Sequence, residues 1–208
     1  MQATPGHAHF MELLQAHAHA VSAGQRDALE TRLWEEYGRT IALLVVDMSG
    51  FTRLASDHGI IHYLSMVRRM QLTAGPIFTD HGGVLIKFEA DNAFARFDDA
   101  GDALRAALAL GTALDQANLV TADHLDIHIA CGIDHGPCLL PSDHDCYGNP
   151  MNRASKLGED TADPGQILVT CEAMARVLDP PAMRQEMIEV AVGGRMEAVH
   201  LVHQQLHG

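Results

Sequence analysis

The sequence predicts an α+β fold, in which an antiparallel-rich sheet carries helices on one face. A continuous apolar run over 41–46, without alternation, indicates a central strand buried on both faces. Two amphipathic segments, 61–79 and 99–118, have the 3.6-residue period of helices. Short strand-like runs separated by turn residues, over 84–97 and 187–202, indicate hairpins.

Composition limits the classes of protein that fit. The chain has 208 residues, enough for one domain plus an appendage, with 47% hydrophobic and 20% charged residues. No apolar run is long enough to cross a membrane and no secretory leader is visible, which predicts a soluble cytoplasmic protein with no membrane partner. The net charge of −13 argues against a nucleic acid polymer as partner. Any phosphate site must therefore be local and metal-assisted.

Residues 1–38 form a predicted helical extension, and 39–208 form the main domain. The extension is predicted to form two helices that are separated near 22–25. Gly38 is the predicted C-cap of the second helix. The extension contains two His-x-His pairs, at 7 and 9 and at 17 and 19. This spacing places the histidines of each pair on different faces of a helix, so a solvated histidine-rich helix is favoured over a metal site. A dimer contact or a signal input is the expected role.

The four cysteines predict reduced thiols, because none forms a CxxC pair. A hairpin predicted around His135 and Gly136 would let Cys131 and Cys138 face each other. The favoured alternative is that both are small core residues.

The remaining elements complete the topology. A helix is predicted over 150–157, a strand over 166–170 and a short helix over 172–178, before the closing strands. The order of strand, two helices, hairpin, helix, hairpin, helix and late strands is typical of a ferredoxin-like plan.

Two aspartates are candidate metal ligands. Asp47 ends the buried strand, and Asp91 lies at the tip of the neighbouring hairpin, so their carboxylates can converge. Such a pair suits Mg²⁺ or Mn²⁺, which prefer oxygen ligands. Turn capping is the alternative explanation for either residue.

The turn after Asp47 is a candidate phosphate site. Its residues can expose successive backbone N–H groups where a helix starts, as phosphate-binding turns do. A helix capped by Ser49 is the alternative. The residues of this turn are Ser49, Gly50, Phe51 and Thr52.

Four segments in order resemble the catalytic domain of class III nucleotide cyclases. Val45 to Thr52 resembles the family's first metal motif, and Lys87 to Asp91 its second, with Ala90 where a glycine is usual. Asp145 to Asn152 resembles the third motif, and Pro164 to Val169 the strand that follows it. The resemblance spans roughly 160 residues, from about 41 to 203.

The resemblance implies a class III cyclase fold and a function. Asp47 and Asp91 would hold two Mg²⁺ or Mn²⁺ ions, and Lys87 and Asp145 would read adenine, which implies ATP as substrate. Asn152 would orient the ribose. The implied reaction is attack of the 3′-hydroxyl on the α-phosphate, giving 3′,5′-cyclic AMP and pyrophosphate, at sites shared between the subunits of a homodimer.

Two positions depart from the family pattern. Lys156 stands where an arginine usually stabilises the transition state, and Gly193 where a phosphate-binding lysine is usual. Arg195 is two residues beyond and could reach the phosphates. Each missing donor could cost about 10²–10³ in rate. The alternative is therefore a weak or inactive cyclase-homology domain that acts as a nucleotide-binding or regulatory dimerisation module.

Overall fold

The computed structural model describes residues 5–50 and 56–204. Its helices are α1 (Pro5–His19), α2 (Ala23–Tyr37), α3 (Ile60–Asp80), α4 (Ala100–Asn118), α5 (Asn149–Ser155) and α6 (Cys171–Met174). Its strands are β1 (Gly38–Met48), β2 (Val84–Glu89), β3 (Asn92–Phe97), β4 (Ile129–Ser142), β5 (Asp145–Tyr147), β6 (Ile167–Thr170), β7 (Met183–Val192) and β8 (Arg195–Gln204). A 3₁₀ turn covers Asp123–Leu125, and a π-helix, Lys156–Thr161, continues α5. None of the helices in these two ranges is both long and apolar enough to span a membrane.

One sheet organises the chain, in the order β2-β3-β1-β4-β6-β8-β7, with β5 added beside β4. Strand β1 lies between β3 and β4 and is antiparallel to both, while β4 and β6 are parallel. The predicted antiparallel-rich α+β class is therefore confirmed. The central position of β1 explains its unbroken apolar run, because both of its faces are covered.

The alternating side chains of β1 divide the core between the two faces. Ala42, Leu44 and Val46 pack with α3 and α4 in the larger cluster. Ile41, Leu43 and Val45 pack on the opposite face with Ala154 of α5. The two long helices thus share one face, as predicted, and the short α5 covers part of the other.

The segment formed by α5 and the π-helix lies unusually close to the sheet. A Cβ atom at Gly132 of β4 would be 2.1 Å from the Ala154 carbonyl oxygen and 2.5 Å from the Gly158 nitrogen. A Cβ atom at Gly158 would be 2.9 Å from the Val45 carbonyl oxygen. Two glycines therefore allow this segment to touch the backbone of β1 and β4, which fixes its position against the sheet.

The N-terminal helices pack on the main domain. Gly38 ends α2 as predicted, with its N–H donating to the Trp34 carbonyl oxygen, and Ser22 caps the start of α2. Phe10 and Leu13 of α1 form a small core with residues of α2 and with Leu139 of β4.

The hairpin predicted around His135 and Gly136 is wrong. Strand β4 runs unbroken past this point, and Gly136 occupies an ordinary ladder position opposite Ile41. The glycine serves packing, since a Cβ atom there would be 2.9 Å from Pro150 Cγ. The reversal comes at residues 143 and 144, between β4 and β5.

The unbroken course of β4 determines where Cys131 and Cys138 lie. Seven residues apart on one strand, Cys131 and Cys138 point to opposite faces and lie in different core clusters. Both are free and buried, as the favoured interpretation expects.

Candidate active site

The structure brings Asp47 and Asp91 together at one end of the sheet. Asp47 is opposite Asn92 in the β1–β3 ladder, which places it beside the β2–β3 turn. The Met48 N–H donates to the Asp91 carbonyl oxygen at 3.3 Å, which ties the turn to the end of β1. Strand β1 and a hairpin next to it thus produce the convergence that the sequence predicts.

The electrostatics of this end are strongly acidic. Burial raises the pKa of Asp47 to about 7, and the negative charges of Asp91, Glu159 and Asp160 add to the shift. Burial also raises the pKa of the Tyr63 hydroxyl, which hydrogen-bonds to Asp91. No Lys or Arg side chain in the described ranges forms a salt bridge with Asp47 or Asp91. Two close carboxylates without a cationic partner favour uptake of a cation.

The donor set at this end fits Mg²⁺ or Mn²⁺. Within 5–50 and 56–204, no group of three or more His, Cys, Asp or Glu side chains forms a complete metal cage. Mg²⁺ is typically held by one or two carboxylates together with water and substrate phosphates. A pair of carboxylates that leaves room for phosphate oxygens therefore suits a metal–nucleotide complex better than a permanently bound structural ion.

The turn after Asp47 is described only in part. Ser49 and Gly50 form a turn, and Gly50 has φ 95°, which favours glycine. The Ser49 N–H already donates to the His128 carbonyl oxygen at 2.9 Å. Ser49 can therefore offer a phosphate its hydroxyl but not its N–H group. Phe51 and Thr52, predicted to belong to the same phosphate site, lie outside the described residues.

Lys87 and Asp145 lie on neighbouring elements. His144 Nδ1 is 3.2 Å from the Ile86 carbonyl oxygen, which holds the loop before β5 against β2. The Lys87 ammonium pairs with Glu89 and lies 4.9 Å from the centre of the Phe94 ring. The Asp145 carboxylate accepts a hydrogen bond from Ser142 Oγ at 3.1 Å. The two candidate base-reading residues are thus near each other but are not paired.

Asp47 and Asp145 pair with opposite ends of β4. Asp47 is opposite Ala130, and Asp145 is opposite Ser142. The segment after β4 folds back toward β2 and β3, because Asp143 pairs with Arg96 at 2.8 Å and His144 contacts the Ile86 carbonyl oxygen. Asp145 therefore lies near Lys87, which comes four residues before Asp91.

Comparison with known proteins decides the family. Residues 35–204 match the model described as "Adenylate and Guanylate cyclase catalytic domain". The chain belongs to this family.

Individual proteins that are similar to this cyclase domain are also named as cyclases. It is 29% identical over 133 residues to a Rhizobium meliloti (strain 1021) protein named "Putative adenylate cyclase 3"; the match covers 64% of the chain and 22% of that longer protein. The chain thus spans about a fifth of the length of this curated relative. An adenylate/guanylate cyclase/hydrolase from Silicibacter pomeroyi is 28% identical, with a TM-score of 0.67 over 81% of this chain and 99% of that one. The adenylyl cyclase CyaB from P. aeruginosa, 20% identical, shares the fold with a TM-score of 0.68 over 82% of this chain and 96% of that one.

In this cyclase domain, the two positions that depart from the family pattern are neighbours. A Cβ atom at Gly193 would be 3.6 Å from Lys156 Cε and 3.8 Å from Lys156 Nζ. The Lys156 ammonium therefore lies beside the place where the sequence pattern expects a second lysine. Gly193 has φ 58°, so a lysine at this position would be strained.

Three other polar residues near Lys156 and Gly193 differ in whether their side chains already have partners. Asn152 and Arg195 are exposed, and no hydrogen bond or ion pair of either side chain occurs in the described part of the chain. Arg153, by contrast, is bound to Glu172 at 3.1 Å and to Glu197 at 3.0 Å. Arg153 therefore does not replace the arginine that is missing at 156.

Sequence reasoning missed Glu159 and Asp160, whose charges act on Asp47. They lie in the π-helix, where the residue spacing departs from 3.6 per turn, so no helical periodicity could reveal their placement.

Ala90 is more than a conservative replacement of glycine. Its φ is 51°, the single positive φ of a non-glycine residue within the described residues. A left-handed alanine costs roughly 1 kcal/mol or more. The turn that carries Asp91 is therefore held in place at some cost to stability.

Proposed function

We propose that the protein is an adenylate cyclase that converts ATP to 3′,5′-cyclic AMP and pyrophosphate. The observation that carries the proposal is the half-buried carboxylate pair Asp47 and Asp91, which has no cationic partner among the described residues. Asp145, with an accessible carboxylate near Lys87, supports ATP over GTP. A carboxylate accepts a hydrogen bond from the exocyclic amine of adenine and repels the oxygen that guanine has at that edge.

In the proposed mechanism, each residue binds or orients one part of the nucleotide. Asp47 and Asp91 would hold two Mg²⁺ or Mn²⁺ ions, which supply Lewis-acid stabilisation of the triphosphate and of the attacking oxygen. Lys87 donates to the base and Asp145 accepts from it, while Asn152 orients the ribose. The 3′-oxygen loses its proton and bonds to the α-phosphorus as the bond to the bridging oxygen breaks and pyrophosphate leaves. Most of the acceleration comes from positioning and electrostatics.

The proposed site forms between two copies of the chain. Asp47 and Asp91 of one subunit would face Lys87, Asp145, Asn152 and Lys156 of the other. The chain carries both sets of residues, so one kind of subunit is sufficient to build such a site. A two-fold dimer would then contain two equivalent sites.

The direct test is turnover by the purified protein. We expect cyclic AMP from ATP and Mn²⁺, resolved by chromatography, and at least about tenfold less cyclic GMP from GTP under the same conditions, on the scale of one hydrogen bond to a charged group. Equal turnover of both nucleotides would contradict the role given to Asp145. Binding of ATP without any product would instead favour the alternative, a nucleotide-binding or regulatory dimerisation module.

Lys156 offers a second test, because its ammonium occupies the region where two cations are usual. We expect Lys156→Met to lower kcat for cyclic AMP formation by about 10²-fold, the scale of one lost donor to developing charge. Arg195→Met is the matched control, and we expect a smaller effect because Arg195 lies across the β7–β8 turn, paired with Val192. Equal losses in the two variants would contradict a specific role for Lys156.

Restoring the family residue at 156 and restoring it at 193 are expected to have different results. Lys156→Arg should raise kcat, since a planar guanidinium can bind phosphate oxygens with two donors. Gly193→Lys should not, because it strains a left-handed position and places a second ammonium next to Lys156.

A further inference from the structure

The first turn of α1 lies directly against β5, the strand that begins at Asp145. The Tyr37 hydroxyl donates to the Gly6 carbonyl oxygen at 3.1 Å, which fixes the start of α1 to α2. The Phe10 ring, only 2% exposed, stacks on Tyr147 with the ring centres 5.8 Å apart. The histidine-rich extension is therefore packed onto the candidate base-reading strand.

Within this contact, His7 meets Asp145. His7 Nδ1 is 3.2 Å from Asp145 Oδ2, an ion-pair distance when the imidazole is protonated, and within the described residues this buried nitrogen has no partner with hydrogen-bond geometry. Ser142 Oγ donates to the same carboxylate oxygen. In the described part of the chain, no hydrogen bond or ion pair engages Asp145 Oδ1, and the side chain remains 38% exposed. The Oδ2 atom thus accepts from Ser142 and lies within ion-pair distance of His7, and Oδ1 is left to accept from a ligand.

We propose that His7 is a positioning residue for Asp145, through which α1 contributes to the selectivity for adenine over guanine. This inference rests on the proposed function, in which Asp145 reads the base. A free carboxylate on a three-residue strand could rotate away from the guanine oxygen and so tolerate GTP. Holding Oδ2 from two sides keeps Oδ1 facing the base, which strengthens both the attraction to adenine and the repulsion of guanine.

The packing of α1 alone does not explain the placement of His7. Phe10 and Leu13 already bury the apolar face of α1. A buried imidazole nitrogen costs free energy unless a polar group compensates, and the Asp145 carboxylate lies within ion-pair distance of it. His17, on the same helix, makes no such contact through its side chain within the described residues, so it is a matched control.

The test uses the full chain and compares the kcat/KM for ATP with the kcat/KM for GTP, with Mn²⁺. We expect His7→Ala to lower this ratio about five- to tenfold, the lower range for a contact with a charged group that is partly exposed. The loss should appear mainly as a higher KM for ATP, with kcat changed less than about twofold. His17→Ala should leave the ratio unchanged. An unchanged ratio in His7→Ala would overturn the proposal.

Two further variants separate positioning from packing. His7→Leu fills the same space without a polar atom and should lower the ratio as His7→Ala does. In an Asp145→Ala background, His7→Ala should cause no further loss, because its effect passes through Asp145. A normal ratio in His7→Leu, or an equal loss in both backgrounds, would assign the effect to packing and overturn the inference.

The same series distinguishes failure of the inference from failure of the proposed function. If Asp145→Ala abolishes selectivity and His7→Ala does not change it, only the role of His7 is wrong. If Asp145→Ala leaves selectivity intact, the base-reading role fails, and the inference fails with it. Should turnover be too slow to measure, calorimetric Kd values for the two nucleotides give the same comparison.

Discussion

An Asp47→Asn variant is expected to lose cyclic AMP formation by about 10³-fold or more and yet to be more stable than the parent without metal. The loss follows because an amide replaces a charged metal ligand, and Lewis-acid stabilisation by such metals is worth several kcal/mol. The gain in stability follows from the same feature that makes the site attractive to cations. Asp47 is half-buried near Asp91, Glu159 and Asp160, which makes its negative charge costly when no cation is bound.

The pH dependence of this gain has a definite sign. The pKa of Asp47 is about 7 in the folded protein, above its ordinary value of 3.8, so folding favours the protonated form. The parent therefore loses stability as pH rises from about 4 to 7, and the loss is complete above pH 7. At pH 8 with a chelator, Asp47→Asn should be more stable by roughly 2 kcal/mol, allowing for relaxation around the charge. At pH 4 the difference should largely vanish.

Thermal unfolding and product formation measured on the same samples check both parts. Asp27→Asn, an exposed carboxylate on α2, is the matched control and should change neither stability nor rate appreciably. Addition of Mn²⁺ should raise the Tm of the parent at pH 8 and should have little effect on Asp47→Asn. A variant that is inactive because it is less stable than the parent at pH 8 would contradict the proposed role of Asp47 as a half-buried metal ligand without a cationic partner.

The sequence is sufficient to predict that Asp47 and Asp91 converge, because their convergence depends on local patterns. An apolar run that ends in Asp47 and a two-residue turn that carries Asp91 each have a short-range signal, and strand pairing then brings them together. The hairpin at Gly136 shows where local signals mislead. A glycine next to a polar residue predicts a turn, but in β4 the absent side chain accommodates Pro150.

Long-range contacts account for what the sequence could not predict. His7 and Asp145 are 138 residues apart in the chain, and no spacing rule connects them. The same holds for Lys156 and Gly193, whose proximity depends on how the π-helix follows α5 and on where the β7–β8 turn closes. The sequence pattern assigns Lys156 and Gly193 to separate phosphate contacts, whereas the structure makes them parts of one surface that already contains an ammonium.

Mixing two inactive variants is expected to restore cyclic AMP formation to about a quarter of the parent rate. The pair consists of Asp47→Asn, which retains Asp145 and Asn152, and the double variant Asp145→Ala/Asn152→Ala, which retains both metal carboxylates. If the site is shared between subunits, each mixed dimer has one intact site and one site with all three changes. After random exchange of equal amounts, half of the dimers are mixed, and each has half of its sites intact.

The control is a mixture of Asp47→Asn with Asp91→Ala, in which every site lacks one metal carboxylate, so no recovery is expected. Rates should be measured after subunit exchange under mild denaturant and refolding, with each variant alone treated identically. No recovery in the first mixture, despite mixed dimers detected by differential tagging, would mean that the two ends of β4 do not serve the same nucleotide. Recovery follows instead if, as the resemblance to class III cyclases implies, the second subunit supplies the base-reading groups.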